Sequence, residues 1–300
     1  MSDKQPAPEP GIYHGVPFQD YCQWDAVNNS SLGPALKSGQ HYVHAQANPR
    51  ADTPAFAFGR LAHEGRLEPA AVLDRFVVMP DLTAGITVNG KPAAKPKATA
   101  EYKQRVQDWH TENEGKHIIE HDEWERTKGV LNALWNNQRA REWFTSPGQA
   151  EVSIVWNDAT TGLRCKARID KVVHDQLLAD MKTSRDAERF ETSIVDYGYD
   201  RQAAFYLDGW HAVTGHRAQF AFAAVESETP HGVRAAPAGP AVIVAGRRKY
   251  QDALRVVAAV RAQDGHPDGY AQPDEFDVPP WQRRAPFVLN AGNQQVEVYA

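Results

Sequence analysis

Between residues 150 and 184 the apolar side chains recur at every second position, and this run decides the fold class. "EVSIVWN" (151–157), "LRCKARIDKVV" (163–173) and "LLADMKT" (177–183) read as three strands parted by the turns "DATTG" and "HDQ". Turns that short impose antiparallel pairing, so the unit is a meander. The flanking sequence has helical spacing over 31–46, 53–67, 100–113, 121–145, 200–214 and 246–263, with further apolar strands at "RFVVMP" (75–80) and "AQFAFAAVE" (218–226). The expected class is α/β: a central mixed sheet containing the antiparallel meander, flanked by helices.

The hairpin carries charge where a plain strand would not. Leu163, Cys165, Ala167 and Ile169 alternate with Arg164, Lys166, Arg168 and Asp170. On the next strand Leu178, Asp180 and Lys182 share one face. A three-residue turn at 174–176 brings Asp170 beside Asp180. Two carboxylates that close repel unless a cation lies between them, and hard divalent ions prefer oxygen ligands. A lysine beside them can orient water or offset charge on a phosphate. Metal-assisted phosphodiester hydrolysis is the chemistry this trio suits. Thr183, ending the strand, is placed to touch phosphate. The basic residues Arg164, Lys166, Arg168, Lys171, Arg185 and Arg189 are placed to track a phosphate backbone.

The remaining totals narrow the field. A formal charge of −5 argues against passive nucleic-acid binding, though not against an acidic metal-dependent enzyme. Two cysteines, Cys22 and Cys165, are too few for a disulfide framework, a four-cysteine zinc site or an Fe–S cluster. A cytoplasmic location is expected, because "MSDKQPAPEPG" lacks the apolar core of a signal peptide and no run spans a bilayer. No G-x-x-x-x-G-K-[ST] phosphate loop is present, which argues against an NTP-driven enzyme.

The ordered motifs resemble the PD-(D/E)XK nuclease superfamily, in the RecB-like branch that includes RecE-type (exodeoxyribonuclease VIII-like) exonucleases. That branch reads G-x-x-x-x-x-R-I-D and then D-x-K-T; here "GLRCKARID" is followed by "ADMKT", with Ile169 in the superfamily's proline position. "GRLAH" offers Gly59 and His63 for its G-x-x-x-H pattern, Glu151 opens the preceding strand, and "RQAAFY" supplies Gln202 and Tyr206 for its Q-x-x-x-Y. The resemblance covers roughly residues 12–285, including "NNSSLGPALKSG" and the closing "VPPW".

It implies a restriction-endonuclease-like core and a metal site of His63, Asp170, Asp180 and the main-chain carbonyl of Met181. Glu151 and Lys182 complete the catalytic set, with Gln202 and Tyr206 on substrate or scaffolding the site. It further implies Mg²⁺, with Mn²⁺ as a substitute, and 5′→3′ resection of linear double-stranded DNA to leave 3′ overhangs. A single-strand annealing (RecT-like) partner and a homo-oligomer, a ring-shaped tetramer, also follow from it. An endonuclease with the same site, structure-specific or of restriction type, and a catalytically inactive DNA-binding protein are the competing expectations. The expected layout is a disordered tail over 1–11, a single nuclease domain over 12–285 with a loop insertion at 81–100, and a C-terminal tail over 286–300.

Overall fold

The computed structural model describes residues 4–48, 54–67, 75–263, 269–270, 287–291 and 294–298. Its centre is a six-stranded sheet whose spatial order follows the chain. The strands are β1 (Gly11–Tyr13), β2 (Gly148–Asn157), β3 (Arg164–Val173), β4 (Leu177–Ser184), β5 (Gln219–Glu226) and β6 (Val233–Pro237). Every neighbouring pair is antiparallel except β4–β5, which is parallel. A parallel step needs a long crossover, and α8 (Phe190–Asp196) and α9 (Tyr199–Thr214) make it. The sheet is therefore mixed, contains the meander, and is flanked by helices, as its periodicity requires.

Both faces of the sheet are covered. Ile154, Ala167, Leu178, Phe220 and Phe222 pack under Phe205 of α9 and Leu254 and Val257 of α10 (Pro240–Ala262). On the other face Ala179, Met181, Ala223 and Val225 meet three helices. These are α4 (Pro54–Leu67) through Phe58 and Ala62, α6 (His121–Asn136) through Val130 and Leu134, and α7 (Gln138–Thr145) through Ala140 and Phe144. Burial on two sides explains why β4 and β5 read as near-continuous apolar runs.

Several expected boundaries move for local reasons. The segment 31–46 is two helices, α2 (Asn29–Ala35) and α3 (Gly39–Ala47), because Ser38 accepts from His41 N and restarts the helix. The segment 121–145 splits at Asn137, whose side chain accepts from Ala140 N at 3.0 Å. The apolar stretch after residue 240 is the first turn of α10, and the loop before it contains edge strand β6. Within 81–100, Thr87–Val88 pairs with Lys91–Pro92 around Asn89 and Gly90, both at positive φ. A fifth helix, α5 (Ala100–Glu112), follows.

One short strand lies within the expected disordered tail, and a second begins at its last residue. Gln5–Pro6 pairs with Trp24–Asp25, just after α1 (Phe18–Gln23), and β1 joins the edge of the main sheet. The chain end expected as a tail contains an antiparallel pair, Phe287–Ala291 with Gln294–Val298. "FDVPPW" (276–281) lies outside the described residues. Among the described residues no helix is long and apolar enough to cross a membrane.

One contact ties the helical layer to the site. A Cβ on Gly246 of α10 would stand 1.8 Å from the carbonyl oxygen of Asp200, at the start of α9. Only glycine lets α10 cross so close to the backbone that carries Gln202. Gly246→Ala is expected to lower the unfolding free energy by about 3 kcal/mol, the upper range for overpacking. Gly239→Ser, a preferred N-cap residue where a Cβ meets nothing within 4 Å, should stay within about 0.5 kcal/mol of wild type. Urea midpoints of the two variants check the contrast.

Candidate active site

The site forms where two strands part. The β3–β4 ladder pairs Val173 with Leu177, Val172 with Leu178 and Lys171 with Ala179, and then stops. His174 and Asp175, both at positive φ, and the bond from Gln176 N to Val173 O fix this register. The next pair would be Asp170 with Asp180. Instead β4 continues alongside β5 as far as Ser184–Glu226. The far end of β3 takes Val27 as its neighbour: Val27 N donates to Arg164 O and Lys166 N donates to Val27 O, both at 2.8 Å. The two aspartates stand at the base of this fork.

A side chain replaces the missing ladder bond, since Met181 N donates to Asp170 Oδ2 at 2.9 Å. The N–H and C=O of one strand residue point to the same edge, so the Met181 carbonyl also opens into the fork. The opposite edge of β3 is interrupted at the same level. Glu151 falls opposite Asp170 but is not paired with it. Its φ of 55° is left-handed, a costly conformation outside glycine. Alternation slips here too: Ile169 and Val172 enter the same core although an odd separation would place them on opposite faces.

Helices close the fork from both sides. On α4, His63 sets Nε2 2.6 Å from Asp170 Oδ2 and Nδ1 3.4 Å from Glu151 Oε1. Gly59, one turn earlier, lets α4 rest on β4: a Cβ there would lie 3.4 Å from Thr183 Oγ1. On α9, Gln202 Nε2 donates to Asp180 Oδ1 at 2.7 Å, and Tyr206 stands one turn further along the same helix. Lys182 Nζ lies 2.5 Å from Asp180 Oδ2 and 5.0 Å from the centre of the Tyr199 ring.

Burial sharpens these charges. Desolvation, and then the charge of Asp170, push the Asp180 carboxyl up to about 6. Asp170 also loses solvation, but the imidazole of His63 beside it outweighs that and holds its carboxyl below the usual range. Burial works against a charged His63, yet the carboxylates of Asp170 and Glu151 raise it to about 10. With both ring nitrogens facing acceptors, the imidazolium is the form that fits. Burial likewise opposes the Lys182 ammonium, and Asp180 and Asp170 lift it above its ordinary value.

Among the described residues no three His, Cys, Asp or Glu side chains are already arranged around one cation position. Opposite charges have closed on each other instead, His63 on Asp170 and Lys182 on Asp180. The donor set nevertheless suits a hard divalent ion. Asp180 Oδ2 is buried, and the Lys182 ammonium 2.5 Å away holds the place a cation would take beside it. Two carboxylates, a carbonyl and one imidazole are ligands such an ion accepts.

A family model described as a PDDEXK-like domain of unknown function (DUF3799) matches residues 30–273. The chain belongs to this family. No curated protein matches it. Among solved structures, a protein from Eubacterium rectale proposed to be an exonuclease is similar over 89% of this chain and 96% of its own, at 12% identity and a TM-score of 0.58. An alkaline exonuclease (LHK-Exo) from Laribacter hongkongensis aligns over 67% of this chain and 96% of its own, at 16% identity and a TM-score of 0.29. The first likeness establishes a shared fold, and with the family match it identifies the sheet as a restriction-endonuclease-like, PD-(D/E)XK core.

The fork gathers His63, Glu151, Asp170, Asp180, Met181, Lys182 and Gln202, with Tyr206 behind them; Gln202 takes the scaffolding alternative, and Arg168, expected at substrate, is used otherwise. Gln202, buried, secures Asp180, and Tyr206, one turn on, packs against the core. Thr183 lies against Gly59. Arg168 donates through Nε to Glu151 and through Nη1 to Val16 O at 2.6 Å, so its guanidinium is already occupied. Its neighbours on β3 are also consumed. Arg164 donates to Pro8 O at 2.6 Å, and Lys166 Nζ faces the carbonyls of Tyr21, Cys22 and Trp24 at 2.6, 3.4 and 2.8 Å. The charged face of β3 grips the N-terminal segment, a role alternation could not separate from phosphate binding. Arg185 and Arg189 remain exposed. Tyr199, one turn before Gln202 on α9, was not anticipated; its spacing from Gln202 was the available signal.

Lys166 offers a measurable consequence. Burial lowers it from 10.5 to about 8. Between these values the unfolded chain holds the proton and the folded chain does not, so rising pH favours folding, by up to about 1.4 kcal/mol per unit. Relative to Lys166→Met, wild type should gain stability from pH 8 to 10, as read from paired denaturant titrations. A flat difference would show that the three carbonyls fully offset burial.

Proposed function

We propose that the chain is a divalent-cation-dependent DNA nuclease acting as an exonuclease on linear duplex. The observation that carries this reading is the fork: two buried carboxylates, Asp170 and Asp180, meet at its base with an imidazole and an ammonium drawn onto them at its walls. Asp170, Asp180, His63 and the Met181 carbonyl would hold Mg²⁺ or Mn²⁺. Such an ion, when bound, supplies a Lewis acid for the phosphoryl oxygens and acidifies water.

The chain's own groups do the rest. His63 must release its proton and turn Nε2 away from Asp170 before it can serve as a ligand. Gln202 holds Asp180 by Oδ1 and leaves Oδ2 directed into the fork. Lys182, with its side chain 17% exposed, aligns the attacking water and offsets charge gathering on the phosphate. Attack at phosphorus expels the 3′ oxygen and leaves a 5′-phosphate. The 5′→3′ direction, the 3′ overhangs, an annealing partner and a ring-shaped oligomer are supported by the motif resemblance alone.

The test is purified protein on 5′-labelled and 3′-labelled linear duplex beside a closed circle, with Mg²⁺, with Mn²⁺ or with chelator. Linear duplex is expected to be degraded only with cation, label leaving the 5′ end first. Asp180→Ala should abolish hydrolysis, and Lys182→Ala should slow it by roughly 10²–10³-fold, the usual loss of one electrostatic stabiliser. Cleavage of the closed circle would replace the exonuclease with an endonuclease. Intact duplex with both cations would overturn the nuclease reading.

A further inference from the structure

A column of rings runs from the core to the surface beside Lys182. Phe222 on β5 meets Phe190 on α8 edge to face at 5.6 Å, Phe190 stacks on Tyr199 at 5.8 Å and 27°, and Tyr199 meets Tyr197 at 5.8 Å and 43°. The inner rings are packed, but Tyr197 is 68% exposed. Val195 next to it is exposed as well. The column passes the site at Tyr199, whose ring carries the Lys182 ammonium at 5.0 Å.

The exposed end is held rigidly. Tyr197 N donates to Ser193 O at 3.0 Å, and Gly198 N donates to Val195 O at 3.3 Å. Gly198 adopts φ 69° and hands the chain to α9, where Gln202 N donates back to Gly198 O. The Arg201 guanidinium packs over this turn, where a Cβ on Gly198 would come 3.0 Å from it. The loop that presents Tyr197 is thus continuous with the helix that secures Asp180.

We propose that Tyr197 stacks on the nucleobase next to the phosphate that Lys182 receives. This rests on the nuclease reading, which places a phosphate at Lys182. A base one residue away from that phosphate then has a pre-positioned, water-facing ring to cover, backed by three more rings. Because every base has a π-face, the contact tolerates sequence. A nucleobase is preferred to a protein side chain because the column's flank is the ammonium of the candidate site itself.

The experiment uses the whole protein in chelator and a single-stranded oligonucleotide carrying 2-aminopurine at its end. Wild type and Tyr197→Phe are expected to quench the fluorophore on binding. Tyr197→Ala should lose the quench and bind about tenfold more weakly, within the range for one stacked base. With Mg²⁺, Tyr197→Ala should raise KM by a similar factor at little cost to kcat, and Tyr197→Phe should restore KM. Tyr197 is exposed, so an unchanged thermal melt will show that Tyr197→Ala folds. Stacking needs no hydrolysis, which separates the two readings. Duplex left intact by wild type with every cation overturns the nuclease. Normal hydrolysis beside equal quenching by Tyr197→Ala, or no quenching by wild type, overturns the stacking.

Discussion

Everything at the site follows from one missing pair of backbone hydrogen bonds. Were the β3–β4 ladder to run one step further, Asp170 and Asp180 would face each other across a closed sheet. The ladder ends instead, and Asp170 supplies a carboxylate oxygen to Met181 N where a carbonyl would have stood. That substitution satisfies the donor, as buried amides demand, and opens a wedge that α4 and α9 close from opposite faces. The wedge persists because its far end is filled: Val27 pairs with β3, and Lys166 ties down three carbonyls of the segment leading into Val27.

The wedge is lined by six formal charges, three of each sign: His63, Arg168 and Lys182 against Glu151, Asp170 and Asp180. Buried carboxylates survive only when paired, and without a cation the pairing is internal. Adding a divalent ion would turn a balanced site positive within a chain whose formal charge is −5. On the nuclease reading, phosphate is then attracted chiefly after the ion has entered.

Much of this was legible from residue spacing, and the limits have physical causes. Period two and the "HDQ" turn set the hairpin register, since turn length and pleat leave little freedom. D-x-K placed Asp180 and Lys182 on one face for the same reason. The parting of the strands was not legible, because its causes are nonlocal: Val27 arrives from more than a hundred residues away, and the left-handed backbone at Glu151 breaks the preference of its own residue type. Arg168 and Lys166 show the same limit. Alternation shows that a side chain points off the sheet; it does not show whether solvent, phosphate or another segment of chain waits there. Helix breaks at Ser38 and Asn137 were in principle readable, since both residue types cap helices.

Arg164, Lys166 and Arg168 of β3 are spent on the N-terminal segment, which withdraws them from any nucleic-acid backbone near the fork. Arg185 and Arg189 are exposed just past β4, and Lys171 on β3 is nine-tenths buried. Affinity built on phosphate contacts falls with salt, and on the nuclease reading Arg185 and Arg189 can add to that slope while Arg164, Lys166 and Arg168 cannot. On the same reading, short-range contacts add to the hold on DNA: phosphate oxygens at the ion, and a base against an exposed ring. Both contacts converge on Lys182, which touches Asp180 on one side and the Tyr199 ring on the other. On the nuclease reading that lysine links hydrolysis to recognition, and the short segment from β4 through α9 would carry both.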